Sequence, residues 1–378
     1  MLRLFIISFL ILISSPSLSL DTKAKQAILF DYETKSVIFE KNSDELMSPS
    51  SMSKIMTVYY LFKKIKDGEL KLSDKYKVSK KAWKKGGSKM FLNVNSMVSI
   101  EDLIRGIIVQ SGNDACIVVA EGISGSEKLF SEELNILAKE IGLNNSNFSN
   151  STGWPDPDHL TTIKDLLTLT IKTIEDFPSL YHYYSEKEFT YSDIKQMNRN
   201  PLLYNDSNAD GLKTGHTSLG GYGLVASVKK NDRRLILILN GLNSSKERSK
   251  ESARIVKVGF NQYRNINLFD ENETIKELNV WGGKKKALNV YSKERISITI
   301  PKRIKKNIIY TIKNYEPLLA PIKKDQKVAE LIIKKQNNEI LKKFDLYSKE
   351  EVKEMSFFSK VFYNFKYLLL GDSIFKSK

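Results

Sequence analysis

Serine and lysine stand three residues apart at four places in this 378-residue chain: Ser51-Met52-Ser53-Lys54, Ser192-Asp193-Ile194-Lys195, Ser227-Val228-Lys229-Lys230 and Ser373-Ile374-Phe375-Lys376. Ser111-Gly112-Asn113 and Lys213-Thr214-Gly215 each occur once, and only the first Ser-x-x-Lys precedes both. A serine hydroxyl is a poor nucleophile until a base stands within hydrogen-bond reach. On a helix, residues three apart share a face, so Ser51 and Lys54 would bring hydroxyl and amine together. The amine is a base only when neutral; burial and a neighbouring cation, for which Lys213 is the candidate, lower its pKa. Ser111 would relay a proton to a leaving amine, and the Asn113 amide would hydrogen-bond a substrate backbone. Lys213 and Thr214 suit a terminal carboxylate, and Gly215 allows close approach of a substrate to the backbone. Backbone N–H groups of Ser51 and His216 would hold an oxyanion.

Taken singly, each motif has a plainer reading. Ser51 could be an N-cap before a core helix with Lys54 at the surface, Ser-Gly-Asn a turn, and Lys-Thr-Gly an exposed edge strand. The ordered set outweighs them. A histidine-dependent serine triad is the rival chemistry; it is opposed by the scatter of His159, His182 and His216 and by the lack of G-x-S-x-G.

The elements that must position these residues are visible in the apolar pattern. Residues 27–40 read as a hairpin around Glu33-Thr34-Lys35. Ile55 to Phe62 is apolar nearly all round, which predicts a helix through the middle of a domain. Leu103, Ile104, Ile107 and Ile108, then Ala115 to Ala120, predict helices on either side of Ser-x-Asn. Tyr222–Ser227 and Leu235–Leu239, separated by Lys230-Asn231-Asp232, predict an antiparallel strand pair soon after Lys-Thr-Gly. From residue 268 short alternating strands take over (296–300, 308–312, 328–333 and, after a turn at 336–339, 340–346), a small all-β unit with no cluster that suggests chemistry. Near the end, Phe358, Val361, Phe362, Phe365, Leu368 and Leu369 recur at helical spacing. This is an amphipathic helix, either docked on its own domain or lying on a membrane surface; its position and large apolar residues favour the membrane.

Hydrophobic residues at 41% and charged residues at 28% describe a globular chain. Residues 1–20 stand apart: Met1-Leu2-Arg3, an apolar run from Leu4 to Ile13 and Ser17-Leu18-Ser19 form a signal-peptide pattern, with an uncleaved anchor as the competing reading. Cys116 is the single cysteine, so no intrachain disulfide can form. No Cys/His metal spacing is present, and no cofactor is expected. The net charge of +16 is spread along the chain rather than gathered into a stripe, which argues against nucleic acid and suits an anionic membrane or wall polymer.

The resemblance carried by the longer motifs is specific. Pro49 to Thr57 is similar to P-A-S-L-T-K-M-M-T, and Leu103-Ile104-Arg105-Gly106 with Gln110 to Ala115 to L-I-R-G…Q-S-G-N-D-A. Gln196 to Asn200 is similar to Q-L-N-R-N, and Asp210 to Thr217 to D-G-(I/L)-K-T-G-H-T. These segments resemble the low-molecular-mass penicillin-binding proteins of the penicillin-binding protein 5 type, the serine D-alanyl-D-alanine carboxypeptidases. The resemblance implies an α+β fold with an antiparallel sheet flanked by helices, a small all-β C-terminal domain and a terminal amphipathic helix. It implies a signal peptide at 1–20, a catalytic domain at 21–267, a β-rich domain at 268–350 and an anchoring helix at 351–378. It also implies Ser51 as acylated nucleophile, Lys54 as its base, Ser111 in proton transfer, and Lys213 with Arg248 at the substrate carboxylate. The implied substrates are peptidoglycan stems ending in D-Ala-D-Ala, β-lactams acylate the same serine, and the chain would sit on the periplasmic face of the inner membrane. The segment Ala82 to Leu92 looks shorter than the matching loop of some members, which leaves substrate length preference open.

Three rivals remain at this point. A class A β-lactamase needs a positioned glutamate, and Thr152 to His159 offers aspartates only. A D,D-endopeptidase acting on crosslinks shares the same bond chemistry. A non-catalytic wall-binding scaffold is opposed by the intact Ser51/Lys54 pair.

Overall fold

The computed structural model describes residues 20–303, 308–314, 317–334, 338 and 340–370. The signal-peptide pattern, the Ser373 motif and most of the turn at 336–339 lie outside them.

Alternation of apolar side chains builds a five-stranded antiparallel sheet from β1 (Gln26–Asp31), β2 (Ser36–Lys41), β3 (Ala209–Thr217), β4 (Gly221–Lys230) and β5 (Arg233–Leu242). The order is β2-β1-β5-β4-β3, which leaves β3 at an edge. Both faces of the sheet are covered. Ile28, Phe30, Ile236 and Ile238 point into one core, and Ala27, Leu29, Leu235, Leu237 and Leu239 into another. The expected hairpin at 27–40 and the strand pair at 222–240 both form. The pairing of β1 with β5, Gln26 opposite Asn240, closes the two halves of the sheet across the intervening chain.

The larger core takes the helices: α1 (Lys54–Lys66), α2 (Ile100–Ile108), α3 (Asn113–Ser124), α4 (Glu127–Glu140) and α5 (Ile163–Asp176). Every residue of α1 from Lys54 to Phe62 is buried, as its all-round apolar surface requires. The smaller core is closed by α6 (Ser245–Gln262), through Ile255 and Val256.

Beyond α6 the chain is β-rich. Tyr263–Phe269 pairs with Ile296–Pro301, and a six-stranded sheet contains the strands Lys327–Lys334 and Ile340–Ser348. This part touches the first sheet at Thr34, whose hydroxyl lies 2.6 Å from that of Thr299. The last described element is α7 (Phe357–Leu370). The architecture is the α+β arrangement expected, with helices on the sheet, a β-rich second part and a terminal helix.

α7 presents one docked face and one open face. Tyr363 is buried and packs edge-on against Trp281, as does Tyr367, at 5.1 and 4.6 Å between ring centroids. The face named from the sequence is open: Phe358, Phe362, Leu368 and Leu369 are all at least 70% exposed. Among the described residues no helix is long and apolar enough to cross a membrane.

Candidate active site

A tight 3-10 turn, Ser50–Ser53, leads directly into α1. Pro49 caps it with the carbonyl that accepts from Met52 N, and Ser53 Oγ donates to Ser50 O at 2.7 Å. Of the four residues in this turn only Ser51 is not buried. Lys54, at the first position of α1, is wholly buried, so the surface-lysine reading is excluded.

Lys54 Nζ has three partners: Ser51 Oγ at 3.1 Å, Asn113 Oδ1 at 2.8 Å and the Thr152 carbonyl at 2.5 Å. Asn113 Nδ2 donates to Gly86 O at 2.8 Å, which fixes the amide so that its oxygen faces the lysine. Two of the three partners can therefore only accept. A neutral amine has two N–H bonds and one lone pair, and those two acceptors use both N–H bonds. The lone pair is left for the only partner able to donate, the Ser51 hydroxyl. Burial lowers the Lys54 pKa from 10.5 to about 8, with Arg199 and Lys85 adding like charge.

Lys213 lies on edge strand β3, also buried, with Nζ donating to Thr214 O at 3.2 Å. Burial pushes its pKa well down, and the Lys54 and Arg199 charges push it further. Arg248, on α6, reaches Gly215 O and Gly223 O, both at 3.4 Å, beneath the Tyr222 ring. Its pKa falls to about 10 through burial. His216, opposite Tyr222 in the β3–β4 pairing, stacks on that same ring at 3.9 Å between centroids. Among the described residues no carboxylate forms an ion pair with Lys213, Arg199 or Arg248, which leaves positive charge around Lys54 that an anionic ligand could offset.

Ser111 sits between α2 and α3 at φ +64°, a left-handed conformation costly for a serine. Its Oγ is buried with no hydrogen-bond partner among the described residues. Ser51, Asn113, Thr152 and His216 line one open cleft of about 280 Å³, together with Trp154 and Thr217. Thr214 is buried beside Lys213.

Gly215 has a packing reason of its own. A Cβ there would stand 2.8 Å from Pro49 O and 3.1 Å from Ser50 Cβ. The glycine lets β3 close on the nucleophile turn. Gly153 does the same from the opposite wall, where a Cβ would meet Ser50 O at 1.9 Å.

Several supporting residues were not singled out from the sequence. His159 Nδ1 accepts from Ser149 N at 3.2 Å, so its other nitrogen carries the proton and donates to Ser53 Oγ at 2.7 Å. Thr57 Oγ1 donates to Ser151 O, tying the loop at 149–159 to α1 a second time. Asp114 accepts from Met90 N and Leu92 N, and Arg199 Nη1 donates to Ser88 Oγ at 2.6 Å, clamping the segment 86–92 on the cleft wall. Among these Thr57, Asp114 and Arg199 carried a signal, through the resemblance of the segments Pro49–Thr57, Gln110–Ala115 and Gln196–Asn200. Asp156 and Asp158 of the 152–159 loop pair with their own turn and make no hydrogen bond to Ser51 or Lys54.

The other Ser-x-x-Lys sequences build no such site. Ser227 is buried in β4 and accepts from Arg234, while Lys230 is exposed; Lys195 pairs with Glu188 at 2.8 Å. Among the described residues no cluster of His, Cys, Asp and Glu could hold a metal ion. Cys116 is buried in α3 and its thiol is pushed up to about 12 by desolvation, so it stays an inert thiol.

Residues 13–244 match the family described as D-alanyl-D-alanine carboxypeptidase, and residues 263–354 match the penicillin-binding protein 5 C-terminal domain. The chain is 37% identical to D-alanyl-D-alanine carboxypeptidase DacC of Escherichia coli over 346 residues, 89% of this chain and 86% of that one. It is 34% identical to DacF of Bacillus subtilis, covering 89% and 87%. The crystal structure of penicillin binding protein 5 from Haemophilus influenzae superposes with a TM-score of 0.81 at 33% identity, over 89% of this chain and 99% of that one.

Proposed function

We propose a set of roles for a chain that belongs to the D-alanyl-D-alanine carboxypeptidase family, a group of serine peptidases. Its reaction is hydrolysis of a D-alanyl-D-alanine bond. Ser51 Oγ attacks the carbonyl of the penultimate residue while its proton passes to Lys54 Nζ. Backbone N–H groups of Ser51 and His216 hold the oxyanion. The leaving D-alanine takes a proton through Ser111, and water then hydrolyses the ester by the reverse of these transfers. Lys213, Thr214 and Arg248 receive the substrate's terminal carboxylate, and Asn113 the peptide backbone. A β-lactam presents the same carboxylate and a reactive carbonyl, and so acylates Ser51.

The observation that carries this reading is the three-partner environment of Lys54, which leaves Ser51 alone to donate to the amine. The substrates are peptidoglycan stems ending in D-Ala-D-Ala. All these residues come from the 21–267 part. Residues 268–350 and the helix at 351–378 would hold that part at the periplasmic face of the inner membrane after removal of the 1–20 signal. Support for the last step is the open aromatic face of α7.

Incubation with a defined pentapeptide muropeptide, followed by mass spectrometry, tests the reaction. Release of one free D-alanine per stem is expected. A trimmed crosslink with intact pentapeptide would indicate an endopeptidase, and no product a scaffold.

A further inference from the structure

The turn at 282–286, which joins the strands Thr274–Trp281 and Ala287–Tyr291, contains three consecutive lysines, Lys284, Lys285 and Lys286, all exposed. This turn is fixed to the lead-in of the helix by backbone hydrogen bonds, from Lys284 N to Lys353 O and from Met355 N to Gly282 O, both 2.8 Å. An isolated bridge between Gly283 and Glu354 completes the seam. Trp281, at the start of the turn, carries the edge-on contacts with Tyr363 and Tyr367. Basic turn and aromatic helix are therefore one unit rather than two neighbours.

The charges within that unit are only partly compensated. Lys285 pairs with Glu350, and Lys360 with Glu354. Among the described residues no acidic side chain lies within ion-pair distance of Lys284, Lys286 or Lys366. Lys286 and Lys366 line a cleft of about 480 Å³ with Phe358 and Phe362, the two most open aromatic positions on the cleft side of α7. Two ammonium groups beside two exposed rings match a ligand that is anionic at one end and a hydrocarbon at the other.

We propose that the Gly282–Lys286 turn and α7 together form a binding site for an anionic phospholipid, with its phosphate between Lys286 and Lys366 and its acyl chain along Phe358 and Phe362. The site rests on the membrane-surface role proposed for the helix and adds to it a selectivity that an apolar face cannot supply. Lys284 extends the positive field to neighbouring headgroups. The β-rich part then does more than space the catalytic part from the membrane, because it contributes the residues that distinguish one lipid from another.

Vesicle sedimentation tests this with the chain from residue 21 onward, using phosphatidylcholine vesicles with and without one-third phosphatidylglycerol. The unchanged chain should partition more strongly onto the anionic vesicles. Replacing Lys284 and Lys286 by Gln should lower that partitioning roughly 10- to 30-fold and leave binding to neutral vesicles as it was. Phe358→Ser with Phe362→Ser should lower binding to both. Hydrolysis of a soluble D-alanyl-D-alanine peptide should be unchanged in every variant, which shows that each is folded. If the lysine variant keeps its full preference for anionic vesicles, or loses binding equally on both, the turn is not a headgroup site. If the unchanged chain binds neither vesicle, the membrane role of α7 fails and the site fails with it.

Discussion

Replacing Asn113 by Asp turns the amide whose oxygen lies 2.8 Å from the amine of Lys54 into a carboxylate. The native amide oxygen accepts a hydrogen bond without charge, and burial holds the lysine at about 8. A carboxylate at the same place favours the ammonium form and raises the lysine pKa by roughly 1 to 3 units. In the native site about 10% of Lys54 is neutral at pH 7, against ~0.03% for a lysine at the ordinary value, a difference worth ~3 kcal/mol. The base is active when deprotonated, so acylation by a labelled penicillin should rise with pH and level off above about pH 8. From pH 6 to pH 8 the gain is roughly 50-fold, the ratio of the neutral fractions. In Asn113→Asp the plateau should move to higher pH by the same 1 to 3 units, approximately, and the loss at pH 7 should recover in alkaline buffer. Rapid-mixing measurements of the second-order acylation constant across this range provide the assay. Asn113 is also the residue proposed to hold the substrate backbone, so a uniform loss is expected beside the shift, and the position of the bend is the quantity to read. A bend that stays in place or moves to lower pH would refute the role given to Lys54, as would a wild-type profile that is flat from pH 6 to pH 9.

Other substitutions separate the remaining roles. Lys54→Arg keeps a charge but has no available lone pair, and acylation should fall by about 10²- to 10⁴-fold with no recovery at high pH. Lys213→Ala should chiefly raise KM for a peptide with a free carboxylate, with much less effect on a substrate amidated at that end; equal losses on both would contradict the assignment. Gly215→Ala places a methyl group 2.8 Å from Pro49 O, and urea unfolding should show a destabilisation of roughly 1–3 kcal/mol together with slower acylation. Deleting residues 356–378 should release the enzyme from membranes while it still hydrolyses small D-alanyl-D-alanine peptides; a truncated chain that pellets as before would show the anchor lies elsewhere.

The core of the site was legible because its chemistry uses side chains at short, typed spacings. Ser51 and Lys54 meet through one turn of helix, and Lys213 and His216 follow from a strand at the sheet edge. The alternating runs at 27–40 and 222–240 likewise announced their hairpins, because turn residues interrupt them locally. What was not legible depends on partners without a type signature. The Thr152 carbonyl that helps orient Lys54 is a backbone atom 98 residues away, which any residue could have supplied. His159 was passed over as scattered, yet it supports the nucleophile turn through Ser53, across 106 residues. Gly215 illustrates a different gap: the sequence marks a place where a side chain is excluded, but not whether substrate or protein fills the space. The two faces of α7 are similar. Periodicity identifies an apolar stripe, whereas the tyrosines that dock the helix are amphipathic and sit outside that stripe.

The claim on which the rest depends is an acyl-enzyme at Ser51. Trapping the chain with a penicillin, digesting it and sequencing the modified peptide by mass spectrometry tests that directly. A single adduct on Ser51, absent from Ser51→Ala, is the expected result. An adduct on Ser192, Ser227 or Ser373, or labelling that persists in Ser51→Ala, would contradict it.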